Sequence, residues 1–243
     1  MVTSDLSLPK ANFLNNPKKV VTGISAKWIG ESWPIVKPDI KTWILITLAL
    51  FAWIFALGLI PYIGAAILSL FAPIMFGGLL LGIHRSATEN IPLKLQTLWM
   101  GFDDKWLGLI TLGAVSLFLS VISDWAFDYI EKDYLGLNLT GEVKVQDTIA
   151  YLIFTMIYVL VNTLITLAFY FAIPLVMFND ISAVDALKAS LKGGLVNILP
   201  LFVYSLLISL LIILGILSLL LGLFISIPLL QVSTYLAYKD IYV

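Results

Sequence analysis

Residues 42–83 read TWILITLALFAWIFALGLIPYIGAAILSLFAPIMFGGLLLGI, and none of these 42 residues carries a charge. A helix rises about 1.5 Å per residue, so one unbroken helix here would be roughly 63 Å long. That is twice the hydrocarbon core of a bilayer, about 30 Å. The stretch therefore reads as two spans. Gly58-Leu59-Ile60-Pro61 supplies the turn, because proline lacks the N–H that continues a helix and clashes with the preceding turn. Leu199 to Tyr238 is uncharged over 40 residues and divides between Gly215 and Gly222. Trp106–Ser123 and Thr148–Phe178 supply one span each, which predicts six. Neither tight turn carries a charge, so a partly re-entrant course for those hairpins is the alternative.

Composition agrees with lipid as the solvent. Of 243 residues, 60% are hydrophobic and 12% charged, and the mean hydropathy is +1.02. Water-soluble domains run nearer 45–50% apolar and about 25% charged. A soluble fold of this size could not hide the excess, because its surface falls too slowly relative to its volume. The net charge of −1 and the lack of a basic block argue against nucleic acid as a partner. With no cysteine, disulfides, thiolate metal sites and thiol catalysis are excluded, and a single histidine excludes a His-rich metal site. Residues 1–41 are polar, with proline and lysine, unlike a cleavable signal. The spans themselves are expected to direct insertion.

Lysine and arginine in the loops set orientation. Six spans place twelve of the fourteen basic residues on one side: Lys10, Lys18, Lys19, Lys27, Lys37, Lys41, Arg85, Lys94, Lys105, Lys188, Lys192 and Lys239. The other side keeps Lys132 and Lys144 beside Asp124, Asp128, Glu131, Asp133, Glu142 and Asp147. The basic side, with both chain ends, is expected to be cytoplasmic. Trp28, Trp33, Trp43, Trp99 and Trp106 crowd that boundary and read as interfacial anchors.

A repeat runs through the pattern. Three segments before the outgoing spans have helical periodicity: Val21, Ile24 and Trp28 opposite Lys27 and Glu31; Leu95, Leu98, Trp99 and Phe102; and Leu187, Leu191, Leu195 and Ile198 opposite Lys188 and Lys192. Gly30, Gly101 and Gly194 follow at matching places. Each return span holds a proline, Pro73, Pro174 or Pro228, expected to kink toward neighbouring helices. The fold class predicted is all-α: a polytopic transmembrane bundle of six helices. It is built as three parallel repeats of interfacial amphipathic helix plus transmembrane hairpin, over about 20–85, 92–178 and 183–240. A polar segment, 1–19, precedes this single membrane domain, and the middle copy is interrupted by an outer loop, 124–147.

Several stretches are similar to a known group. Ala72-Pro73-Ile74-Met75-Phe76-Gly77-Gly78, Phe178-Asn179-Asp180-Ile181-Ser182, Ala186-Leu187-Lys188-Ala189-Ser190-Leu191, Asn197-Ile198-Leu199-Pro200 and Ala237-Tyr238-Lys239-Asp240-Ile241 resemble an uncharacterised family of proteobacterial six-helix inner-membrane proteins. The likeness runs from about Val20 to the C-terminus and departs most in the second copy. It implies a six-helix fold in the bacterial inner membrane and transfers no catalytic residue.

Candidate sites are sparse. Ionisable groups deep in a membrane usually mark an ion pathway, and no predicted span has one in its interior. Asn162 and Gln231 are the candidates for lining a cavity, against the plainer role of interhelical hydrogen bonds worth about 0.6 kcal/mol each. Arg85, after His84 at the end of the second span, is a candidate contact for a lipid phosphate or acidic partner; the plainer role is stabilising a helix C-terminus. Lys188 and Lys192, one turn apart, suit anionic headgroups at about 1 kcal/mol each. Asp124, Asp128 and Glu131 share a helical face and carry the right oxygens for calcium, though a solvated acidic loop explains them more simply. Asn138-Leu139-Thr140 matches a glycosylation acceptor, without meaning in a bacterium. Gly77-Gly78 and Gly64-Ala65-Ala66 read as close-packing motifs.

No Ser/His/Asp grouping, phosphate loop or zinc pattern is present, and no cofactor or metal is expected. The expectation is a non-enzymatic membrane protein that acts by association, as an accessory or scaffold subunit or a homo-oligomer, with membrane lipids and a membrane-protein partner around it. The alternative is a passive carrier or channel for an apolar or lipid-like solute, with a cavity between the three proline-bearing helices.

Overall fold

The computed structural model describes residues 16–103, 105–130, 145–179 and 181–243. Helix α1 (Ile24–Val36) passes through a 3-10 link, Lys37–Asp39, into α2 (Ile40–Gly58). The chain turns at Leu59–Tyr62, where Pro61 had been expected to break the helix, and Tyr62 takes a left-handed φ of 60°. Helix α3 (Ile63–Glu89) returns and stops at Asn90, whose φ of 54° is the left-handed end that asparagine tolerates. A 3-10 stretch, Leu95–Phe102, then leads to α4 (Trp106–Tyr129). Next come α5 (Val145–Tyr170), α6 (Ala172–Phe178), α7 (Ala183–Val196), α8 (Ile198–Leu217) and α9 (Leu223–Tyr242). No strand occurs among the described residues.

The protein is all-helical, and five stretches are long and apolar enough to cross a membrane: Ile24–Gly58, Ile63–Glu89, Trp106–Tyr129, Ile149–Phe178 and Ile198–Leu217. Helix α9 is not among them, because Gln231, Ser233, Thr234, Lys239 and Asp240 dilute its hydropathy. It is instead a central helix, burying Leu229, Val232, Tyr235, Tyr238, Ile241 and Tyr242 against α1, α2, α3 and α8. The turn before it lies at 218–222, within the expected break, with Leu219 and Leu220 both at positive φ.

Glycines and small residues decide which faces meet. A side-chain carbon on Gly101 would collide with the Ile74 carbonyl oxygen, and one on Gly78 with that of Thr97. The 3-10 stretch therefore lies backbone-to-backbone on α3. Here the expected interfacial helix is wound more tightly, and the surface it buries is Thr97, Leu98 and Gly101. Leu95, Trp99 and Phe102 point outward, because a bulky stripe would hold the two backbones apart. Helix α7 repeats the pattern: Ala183, Ala186, Ser190, Gly193 and Gly194 are buried, while Leu195 is exposed. In α1 the apolar stripe does turn inward at Trp28, and Lys27 pairs with Glu31 on the outside at 3.6 Å.

Pro73 and Pro228 lie inside the unbroken helices α3 and α9, and Pro174 lies beside the break between α5 and α6. Pro73 cannot donate to the Ser69 carbonyl. Gly113 of α4 packs against that carbonyl; a Cβ there would lie 2.6 Å from the oxygens of Ser69 and Leu70. Pro174 coincides with the break between α5 and α6, where the Ser190 hydroxyl enters the ladder. It accepts from the Phe171 N–H at 2.9 Å and donates to the Leu167 carbonyl at 2.7 Å, replacing the bond those two groups would make with each other.

Candidate functional site at the basic end of the bundle

Sequence-distant segments converge where most of the lysines and the one arginine lie. Asn197, fully buried between α7 and α8, accepts from the Val20 N–H at 2.8 Å and donates to the carbonyls of Lys18 (2.9 Å) and Gly193 (3.0 Å). The Lys18 N–H donates to the Ile241 carbonyl at 2.8 Å. The fully buried Trp28 indole donates to Asp240 at 2.8 Å, and Ser25 donates to the Pro200 carbonyl at 2.7 Å. Asp39 accepts from the Leu93 N–H at 2.8 Å. A buried polar group is costly unless paired, so each tie fixes a register between chain segments.

Inside these ties lies a stack of aromatic rings. His84 Nδ1 and the Tyr235 hydroxyl are 2.8 Å apart, and the imidazole packs on Phe178 with centroids 5.2 Å apart. Phe178 contacts Tyr235 (6.0 Å) and Tyr238 (5.6 Å), and Tyr238 stacks on Tyr242 at 5.8 Å. Asn179 donates to the Tyr238 hydroxyl at 2.8 Å, and the Tyr242 hydroxyl donates to the Ala189 carbonyl at 3.0 Å. Tyr242 reaches that carbonyl by lying against Gly193, where any side chain would displace it.

The candidate residues fall in different places. Arg85 is half-buried beside this stack and directs Nη1 at the Met100 sulfur, 3.8 Å away. Lys188 and Lys192 are exposed on α7, and Lys192 donates to Asn16 at 2.7 Å. Asn162 lies on α5, donating to Ser123 of α4 at 3.3 Å and to the Tyr158 carbonyl at 2.9 Å. Gln231 is half-exposed on α9. The structure thus brings none of Arg85, the α7 lysines, Asn162 and Gln231 into one group. Trp33, Trp99 and Trp106 are exposed as anchors would be, whereas Trp28 and Trp43 are core residues. Asp124 and Asp128 lie on α4; Glu131, Asn138-Leu139-Thr140 and most of the 124–147 loop lie outside the described residues. Among the described residues no group of three His, Asp or Glu could hold a metal ion.

Asn197, Ser190 and Asp240 do structural work that periodicity did not reveal. Their signal was present as a polar residue of modest size within an apolar motif, but the partners lie too far along the chain to be inferred. Comparison of the chain with family models, curated proteins and solved structures returns no match.

Proposed function

We propose that this chain is a six-span protein of the bacterial inner membrane with both ends in the cytoplasm, and that it works by association rather than catalysis. It would serve as an accessory or scaffold subunit, or assemble with copies of itself. The observation that carries this reading is the closed centre of the bundle. Pro73, Pro174 and Pro228 are all buried. Helix α3 meets α6 through Ile74, Leu175 and Val176 and meets α9 through Leu79, Leu229 and Val232, none more than 9% exposed. A carrier asks for those helices to stand apart, with Asn162 or Gln231 turned between them; Asn162 instead ties α4 to α5.

Polar groups inside the bundle are also used to join helices: the Tyr204 hydroxyl lies 2.7 Å from Ser233, and Ser226 donates to the Leu211 carbonyl at 2.9 Å. In contrast, α4 buries only Leu109, Leu112 and Gly113, and in the Ile149–Phe178 span just 6% of the most apolar window is covered. That leaves Phe118, Val121, Trp125, Ile153 and Met156 on a surface open to lipid or to another chain. The three parallel repeats and the resemblance to proteobacterial inner-membrane proteins support the six-span count, with α9 as the sixth. Extraction into native nanodiscs followed by mass spectrometry tests the reading. Co-purification of a stoichiometric protein partner or a defined homo-oligomer is expected; a lone monomer carrying only bulk lipid would sink it.

A further inference from the structure

We propose that His84, Arg85 and Lys239 form a site for a phosphate ester, supplied by the headgroup of an anionic phospholipid. His84 and Arg85 come 21 and 22 residues after Ile63, the start of α3. That is about 32 Å along the helix, one hydrocarbon thickness, so the pair stands where the headgroup layer begins. Tyr235 occupies one ring nitrogen of His84, at 2.8 Å from Nδ1, and leaves Nε2 for a ligand. Lys239, one turn beyond Tyr235 on α9, holds its ammonium 5.8 Å from the centre of the Tyr235 ring. Lys239 and Arg85 both act electrostatically on His84, so the three basic groups share one neighbourhood.

The two cations there make no direct ion pair among the described residues. Among the described residues neither Arg85 nor Lys239 has a carboxylate within ion-pair distance, whereas Lys27 pairs with Glu31. Glu89 acts on His84 from the next turn of α3, and Asp240, beside Lys239, is taken by the Trp28 indole. The guanidinium's thioether contact at 3.8 Å is a weak use of a group with five donors. A planar guanidinium and an ammonium each suit phosphate oxygens, the first by its paired donors and the second as a point charge. The floor beneath is rigid, because Tyr235 and Tyr238 are fully buried and Phe178 packs against both.

The test compares purified protein in neutral detergent with added phosphatidylglycerol, phosphatidylcholine or inorganic phosphate, read by thermal unfolding and by lipid retained in native mass spectrometry. Phosphatidylglycerol is expected to be retained and to raise the unfolding temperature, and phosphatidylcholine much less. R85Q/K239Q should weaken retention by roughly fivefold per cation removed, while K27Q, whose charge is already paired with Glu31, leaves it near wild type. R85K/K239R, which keeps both charges, should keep the lipid and guards against a folding defect in the glutamine pair. An equal shift from inorganic phosphate, lost in the same variant, would keep the phosphate site and assign it to soluble esters. Unchanged retention in R85Q/K239Q, or equal loss in K27Q, overturns the proposal.

Discussion

Ser190 and Thr47 show how differently one hydroxyl can act in the same bundle. Ser190 both accepts and donates within the α5–α6 break, so Ser190→Ala orphans a buried N–H and a buried carbonyl together. Each such loss costs about 1–3 kcal/mol, and a clear fall in thermal unfolding temperature in detergent is expected. A wild-type midpoint would mean that the ladder closes without the hydroxyl. Thr47 is fully buried on α2, and its hydroxyl has no hydrogen-bond partner. Thr47→Val keeps the shape and removes the unpaired group, so it should stabilise by roughly 1 kcal/mol in the same assay. Neither role was legible in the sequence. A serine or threonine in an apolar helix looks alike whether it bonds its own carbonyl, a neighbour's or nothing, and the Ser190 bonds span 23 and 19 residues.

Elements were legible where one local rule sufficed. Proline and an apolar run marked the turns after Gly58 and Gly215, and both lie where expected. Periodicity located the stretch 95–102 and helix α7 but did not say which residues pack inward: Leu98 is buried and Leu187 and Leu191 half-buried, while Leu95, Trp99 and Leu195 are exposed. A hydrophobic stripe normally seeks the core; here glycines allow backbones to touch, and the closest contact wins. Gly101→Val tests that order of effects. Its side chain would strike the Ile74 carbonyl, a rigid neighbour, so the cost should exceed the 1–3 kcal/mol usual for overpacking. Hydrogen exchange over residues 93–103 should rise as the stretch lifts from α3. If exchange there stays at the wild-type rate, the backbone contact is not what seats this segment.

At the scale of the whole molecule, the apolar character of the chain was plain, and five helical stretches have the length and apolarity to cross a membrane. The position of α9 was not plain, because its polar residues are needed by the neighbours it packs among and not by its path across lipid. Labelling decides whether it crosses. The chain has no native cysteine, so single cysteines at Lys192, Leu221 and Lys239 report sidedness directly with an impermeant reagent. Leu221 should react from the face opposite to Lys192 and Lys239. Reaction of all three from one face would make α8 and α9 a re-entrant hairpin and remove the sixth span. The candidate site was legible only as single residues: His84-Arg85 was visible as a basic pair, but Lys239 joins it across a fold that brings positions 84 and 235 together.

The tie between Lys18 and Ile241 has a consequence for how the protein is made. A ribosome delivers the N-terminal end of α1 long before the last turn of α9. Yet the indole of Trp28 needs Asp240, and the amide of Lys18 needs the carbonyl of Ile241. Until Asp240 and Ile241 have emerged, the Trp28 indole and the Lys18 amide lack the partners that the folded bundle gives them. Closure of the bundle therefore waits on the last turn of α9, and a chain cut before Asp240 should keep its earlier helices but never lock.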